Sequence, residues 1–169
     1  MVIIKSLYSE YQELYQNNLF IATSFFDRIP RSTKKFKSEI HNIIIEAIAD
    51  QDKKQLHFAL NIAYKDGIDS SYTELIAQLL PATWHEEHED LVNTIYLDNL
   101  NDNIFTDSLY KIATEPDIYR KYDDEMESTL RKCIHALKMI NSEDANLYIE
   151  KLKNTENGNV DMALSVYDK

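Results

Sequence analysis

Glu127-Ser-Thr-Leu-Arg-Lys-Cys-Ile-His-Ala-Leu-Lys-Met-Ile-Asn141, followed directly by Ser142-Glu-Asp-Ala-Asn-Leu-Tyr-Ile-Glu-Lys-Leu152, is the stretch that decides the fold. Met126, Leu130, Cys133, Ile134 and Leu137 recur at three-four spacing, the pattern of a helix with one buried face. The spacing predicts a helix from Asp123 or Asp124 to Ile140. Ser142 supplies an N-cap for a second, reaching about Lys153, and Asn159 one for a third, reaching Tyr167. Two helices joined by a short polar turn form a hairpin, and successive pairs suggest either a bundle or a stack of helical hairpins, between which periodicity alone does not choose.

The rest of the chain carries the same pattern. Ser32 or Thr33 caps a predicted helix through Phe36, Ile40, Ile43, Ile44, Ala47 and Ile48, ending near Asp50. Asp52, with Gln55 three residues on, opens another through Leu56, Ala59, Leu60 and Ala63, which Gly67 stops. Ser71-Tyr72-Thr73-Glu74 has the capping-box pattern for a helix through Leu79 and Leu80, ended by Pro81. Further helices are expected from about His85 to Leu97 and from about Asn103 to Ala113, with Pro116 closing that region. Ser6 to Arg28 gives one or two more.

Composition agrees with an all-α chain. Two Gly and three Pro among 169 residues leave little material for hairpin turns, phosphate loops or linkers. A chain of this length fits one domain that buries roughly 70% of its unfolded surface. Cys133, the single cysteine, excludes intrachain disulfides and thiolate metal clusters, and its place in an apolar stripe reads as core packing. Met1-Val2-Ile3-Ile4-Lys5 is too short an apolar run for a signal peptide, and no stretch is apolar for long enough to span a bilayer, so a cytoplasmic, soluble protein is expected.

Charge is unevenly divided. Residues 1–70 hold nine Lys/Arg against nine Asp/Glu, whereas 71–169 hold nine against twenty, so the net −11 lies entirely in the second part. Between Trp84 and Glu127 thirteen acids meet three bases, a balance of −10. Such a field repels nucleic acid and anionic membranes and attracts a basic partner, more naturally a protein than a small molecule. Lys34-Lys35-Phe36-Lys37 is the one cationic cluster and reads as a solvated helix start.

Two segments within the acidic stretch carry candidate partner-binding residues. The first is Trp84-His85-Glu86-Glu87-His88-Glu89-Asp90; the second sets Tyr119 and Tyr122 beside Asp123, Asp124 and Glu125. Acids at a helix start are also ordinary dipole partners, and Trp84 can equally be a packing staple or an exposed anchor. His85 and His88 stand three apart, not the four of a zinc-protease helix, and no Glu precedes any His by three as in di-iron bundles. No nucleophile elbow or phosphate loop occurs, so neither catalysis nor a cofactor is expected.

From Asp52 to Tyr167 the units resemble HEAT-type repeats: a helix ending in an Ala-Leu pair, a short polar turn, and a second helix ending in leucines, at about 35 to 45 residues per unit. Leu75-Ile76-Ala-Gln-Leu79-Leu80 fits a second helix in that register. The resemblance implies a HEAT-like solenoid of stacked helical hairpins over 52–167, within a single domain, with residues 1–50 as an N-terminal cap. Within it, Trp84, His85, His88, Glu89 and Asp90 are similar to the "Trp-His-x-x-His-Glu-Asp" segment of small HEAT-like immunity proteins of bacterial polymorphic-toxin and contact-dependent growth inhibition systems. Membership would imply a cytoplasmic antidote that binds and blocks one toxin domain. The alternatives are a HEAT-like adaptor or assembly factor for a cationic partner and, more distantly, a metal-dependent helical enzyme.

Overall fold

The computed structural model describes residues 2–17, 23–28 and 34–168, and every regular element among them is helical. In chain order these are α1 (Val2–Gln16), α2 (Thr23–Phe26), α3 (Lys34–Asp50), α4 (Lys53–Asp66), α5 (Thr73–Leu79), α6 (His88–Leu97), α7 (Thr106–Thr114), α8 (Pro116–Tyr119), α9 (Ser128–Ile140), α10 (Glu143–Lys153) and α11 (Gly158–Ser165). Short 3-10 turns, Ser70–Tyr72 and Asn103–Phe105, lead into α5 and α7. With so little glycine, helix ends use other residues for the left-handed turn. Gly67 (φ 97°) ends α4, but Gln51, Asn99 and Asn141 follow α3, α6 and α9 at φ 52°, 55° and 52°. Asparagine tolerates this region better than most side chains.

The chain groups into two compact units, Met1–Ile68 and Asp69–Lys169. In the first, α3 and α4 form a hairpin across Gln51-Asp52. Asp52 Oδ1 accepts from the amides of Lys54 and Gln55 at 2.9 and 3.0 Å, the expected cap. Ile40, Ile44 and Ala47 of α3 and Leu56, Ala59, Leu60 and Ala63 of α4 are buried. Tyr11 of α1 packs against Phe25, Phe26 and Phe58, with ring centroids 5.2–6.3 Å apart. α4, which the sequence reading grouped with the later hairpins, thus belongs with α1 and α3. Ser32 and Thr33, the expected cap of α3, and the side chains of Lys34 and Lys35 lie outside the described residues.

The second unit is built around α9, whose Cys133, Ile134, Ala136 and Leu137 are fully buried. Pairs along its neighbours fix their directions. Glu89 meets Ser128 and Lys132, and Tyr96 meets His135, in the same order along both helices, so α6 runs parallel to α9. Arg131 meets Met162 and His135 meets Tyr167, so α11 lies parallel to α9 as well. α10 returns across the Asn141-Ser142 turn, with Ser142 Oγ accepting from Ala145 N at 3.1 Å. It pairs with α7 through Tyr148 Oη, which donates to Asp107 at 2.7 Å, and through stacked rings of Tyr110 and Tyr148 at 4.2 Å.

Several boundaries differ from the sequence reading. Asp69, not Ser71, caps the turn before α5, accepting from Ser71 N at 2.9 Å. α6 starts at His88 rather than His85, because the intervening residues are used to close off α5. α9 starts at Ser128, so Asp123, Asp124 and Glu125 form a turn ahead of the helix and are not its first residues. Asn157, not Asn159, caps α11, accepting from Asn159 N at 2.8 Å. Pro116 opens α8 at a position where its missing N–H costs nothing.

Candidate functional site

The join between α5 and α6 is held by rings. A helix leaves its last carbonyls without intrahelical partners, and here side chains supply them. His85 Nε2–H donates to Leu79 O at 3.0 Å and His88 Nε2–H to Ala82 O at 2.9 Å, while Tyr119 Oη donates to Pro81 O at 3.1 Å. His85 Nδ1 accepts from Glu87 N at 3.1 Å, which fixes the neutral tautomer with its proton on Nε2. The two imidazoles stack at 4.6 Å, with Trp84 edge-on to His85 at 4.9 Å and Tyr119 edge-on to His88 at 5.0 Å. Burial, with the adjacent His85, brings the His88 pKa down from 6.5 to about 4. The pair is therefore committed to structure. No group of three or more His, Cys, Asp or Glu among the described residues is arranged to hold a metal.

Residues 120–127 are held by Arg120. Its side chain is 4% exposed and makes four bonds: Nε to Ile112 O (3.0 Å), Nη2 to Ala113 O (2.9 Å), and Nη1 to Asp123 Oδ2 (3.0 Å) and Glu127 Oε1 (3.1 Å). Asp123 Oδ1 also accepts from Thr129 N and Oγ1 at 3.0 and 2.6 Å, doing for α9 what an N-cap does. Burial pushes the Asp123 carboxyl pKa up, but the Thr129 and Arg120 bonds outweigh it and leave it below the ordinary value. Glu127 shifts the same way: burial is overcome by Asn157, Asn159 and Arg120. Its left-handed backbone (φ 43°) is kept in place by these contacts.

These contacts divide the twelve candidate partner-binding residues. His85, His88 and Tyr119 are buried, and the Asp123 side chain is 6% exposed, so these four are packed into the scaffold and not displayed on the surface. Glu89 is exposed yet occupied: Oε1 accepts from Lys132 at 2.7 Å and Ser128 at 2.8 Å, and both hold its carboxyl below the usual range. Glu86, Asp90, Tyr122, Asp124 and Glu125 are exposed, and Trp84 and Glu87 half-exposed. The Glu89 contacts bring the start of α6 beside the start of α9, so the two acidic segments, far apart in sequence, meet in one unit.

Arg120 is the residue organising this turn that sequence reasoning missed. Its signal was present: an arginine inside the acidic stretch with Asp three and Glu seven residues on. Met126, read from its spacing as part of the buried stripe, lies ahead of α9 and is 46% exposed, and Met162 is 49% exposed. Elsewhere in the unit an open recess of about 360 Å³ lies between Ser70, Thr73 and the loop 99–103. Its one carboxylate, Asp102, already accepts from Ile104 N at 3.0 Å, so the recess offers no acid–base pair.

Compared with known proteins, the chain matches no family model, no curated protein and no solved structure. No helix among the described residues is long and apolar enough to cross a membrane.

Proposed function

We propose that this chain is a non-catalytic binding protein of the immunity type, which neutralises a cognate basic toxin domain by presenting an acidic surface to it. The observation that carries the reading is where the charge lies. Unit Asp69–Lys169 holds nine bases against twenty-one acids, net −12, and unit Met1–Ile68 nine against eight, net +1. Within that unit Glu86, Asp90, Asp124 and Glu125 are exposed. A nuclease must be basic where it holds phosphates, so an acidic inhibitor either occupies that surface or docks beside it, with the same attraction speeding encounter.

Parallel α6, α9 and α11, together with the paired α7 and α10, support a HEAT-like stack of hairpins in 69–167, the architecture expected of such an antidote. The alternative of a HEAT-like adaptor for a cationic protein draws on the same charge. Co-expression separates the two. A toxin domain encoded beside this gene should cease to kill when the protein is present, and the two should co-purify with nanomolar affinity, about −12 kcal/mol. Loss of viability despite co-expression, or failure to associate, would reject the immunity reading and leave the adaptor.

A further inference from the structure

We propose that the turn carrying Tyr122 is a preformed docking tip for a basic, amphipathic protein segment that places an apolar side chain against it. Tyr122 is 76% exposed, more than any other large hydrophobic residue among those described. A single exposed tyrosine is ordinary; what sets this one apart is how firmly its backbone is held. It lies between Arg120 and Asp123, whose side chains are buried in the same ion pair, and Asp123 is bonded in turn to the first turn of α9. Glu127 and Asn159 complete the anchorage, with Asn159 Nδ2 donating to Glu125 O at 3.0 Å. Asp124 Oδ1 accepts from Met126 N at 2.9 Å and closes the turn itself.

Burying an arginine and a carboxylate is a costly way to stabilise a fold, since hydrophobic replacements often do as well. Such a knot holds the backbone of the turn, so less backbone entropy is lost when a partner covers the ring it carries. Met126 stands on the same turn. Met162 is one helical turn beyond Asn159 on α11, where its sulfur accepts from Arg131 at 3.6 Å. Met126 and Met162 are themselves 46% and 49% exposed.

Charge selects the occupant. Asp117, Asp124, Glu125 and Asp161 are exposed around this end of the unit, against Lys121 as the exposed base of the turn. Phosphate-bearing surfaces are repelled, whereas a segment with lysines and arginines flanking a leucine or phenylalanine meets complementary groups on both counts. The sign of the partner's charge is shared with the immunity reading, but the site does not require a toxin.

The test uses two synthetic peptides titrated into isotope-labelled full-length protein. One is an amphipathic helix with leucines along one face and lysines and arginines on the other. The second has the same charge with serine in place of leucine. Amide shifts on adding the first should concentrate at 120–127 and at the start of α11, with the serine peptide binding roughly tenfold more weakly. Tyr122→Ala should cost the leucine peptide about tenfold, Tyr122→Phe little, and neither should alter the circular dichroism spectrum. Shifts spread evenly over the acidic unit, equal binding of the two peptides, unchanged affinity of Tyr122→Ala, or no binding at all would each overturn the docking tip. The toxin reading stands or falls separately, on co-purification.

Discussion

His88 shows how a residue that looks like a partner contact in sequence can be spent on architecture. Its folded pKa, about 4, lies below the ordinary 6.5, so protonation favours the unfolded chain. The stability it contributes is complete above pH 6.5 and is lost as pH falls from 6.5 toward 4, by about 2–3 kcal/mol. His135, also lowered by burial and by Arg131, acts in the same direction. Asp123 and Glu127 have lowered pKa values as well, and their contribution is lost only on passing below the ordinary 3.8 and 4.5. Urea unfolding should therefore show stability declining across the histidine window before the carboxylates titrate. His88→Gln should flatten that first decline, and a parent profile already flat between pH 6.5 and 4 would contradict the burial argument. Arg120 makes a second residue-level prediction. Arg120→Met strands Asp123 in a buried site and should cost about 3–5 kcal/mol. Arg120→Lys should recover little, because an ammonium cannot replace the separate Nε and Nη2 bonds to Ile112 O and Ala113 O.

At the scale of elements, the sequence was clearest where capping and periodicity agree. Asp52, Gly67 and Ser142 each mark an end that the structure places as expected, because a short side chain beside an apolar repeat has one good local use there. It was least clear where tertiary contacts replaced local caps. His85 looked like a helix residue but serves the preceding helix; Asp123 caps α9 from five residues before its start, a reach that no spacing rule contains. The burial of four candidate site residues followed from the same cause, since aromatic and acidic side chains near a join are equally suited to bonding loose carbonyls and amides or to facing a partner. Substitutions separate the two kinds of cap. Ser142→Ala should cost about 1 kcal/mol in chemical denaturation. Ser71→Ala, at the position where the capping box was expected, should stay within about 0.5 kcal/mol, because Asp69 does the capping through the Ser71 backbone amide, which the substitution keeps. A larger loss at Ser71 than at Ser142 would reverse that assignment.

Across the whole molecule, charge and scaffold divide the acids into two populations that composition alone cannot distinguish. Glu89, Asp123 and Glu127 are tied to Lys132, Arg120, Thr129 and neighbouring amides, and reversing them would test folding, not recognition. Glu86, Asp90, Asp124 and Glu125 are exposed. If the acidic unit steers a basic partner, reversing these four to lysine should slow association with the cognate toxin domain by at least about tenfold at low salt, and the deficit should shrink as screening rises, since rim charges act mainly on the on-rate. Reversal of Glu13 and Asp50, exposed in the nearly neutral first unit, provides the control and should leave the rate close to that of the parent. Stopped-flow association at two ionic strengths measures both. An equal slowing by the control pair would make the effect one of net charge, and a parent-like rate for the four-residue variant at low salt would remove the acidic surface from recognition and leave it as a determinant of solubility.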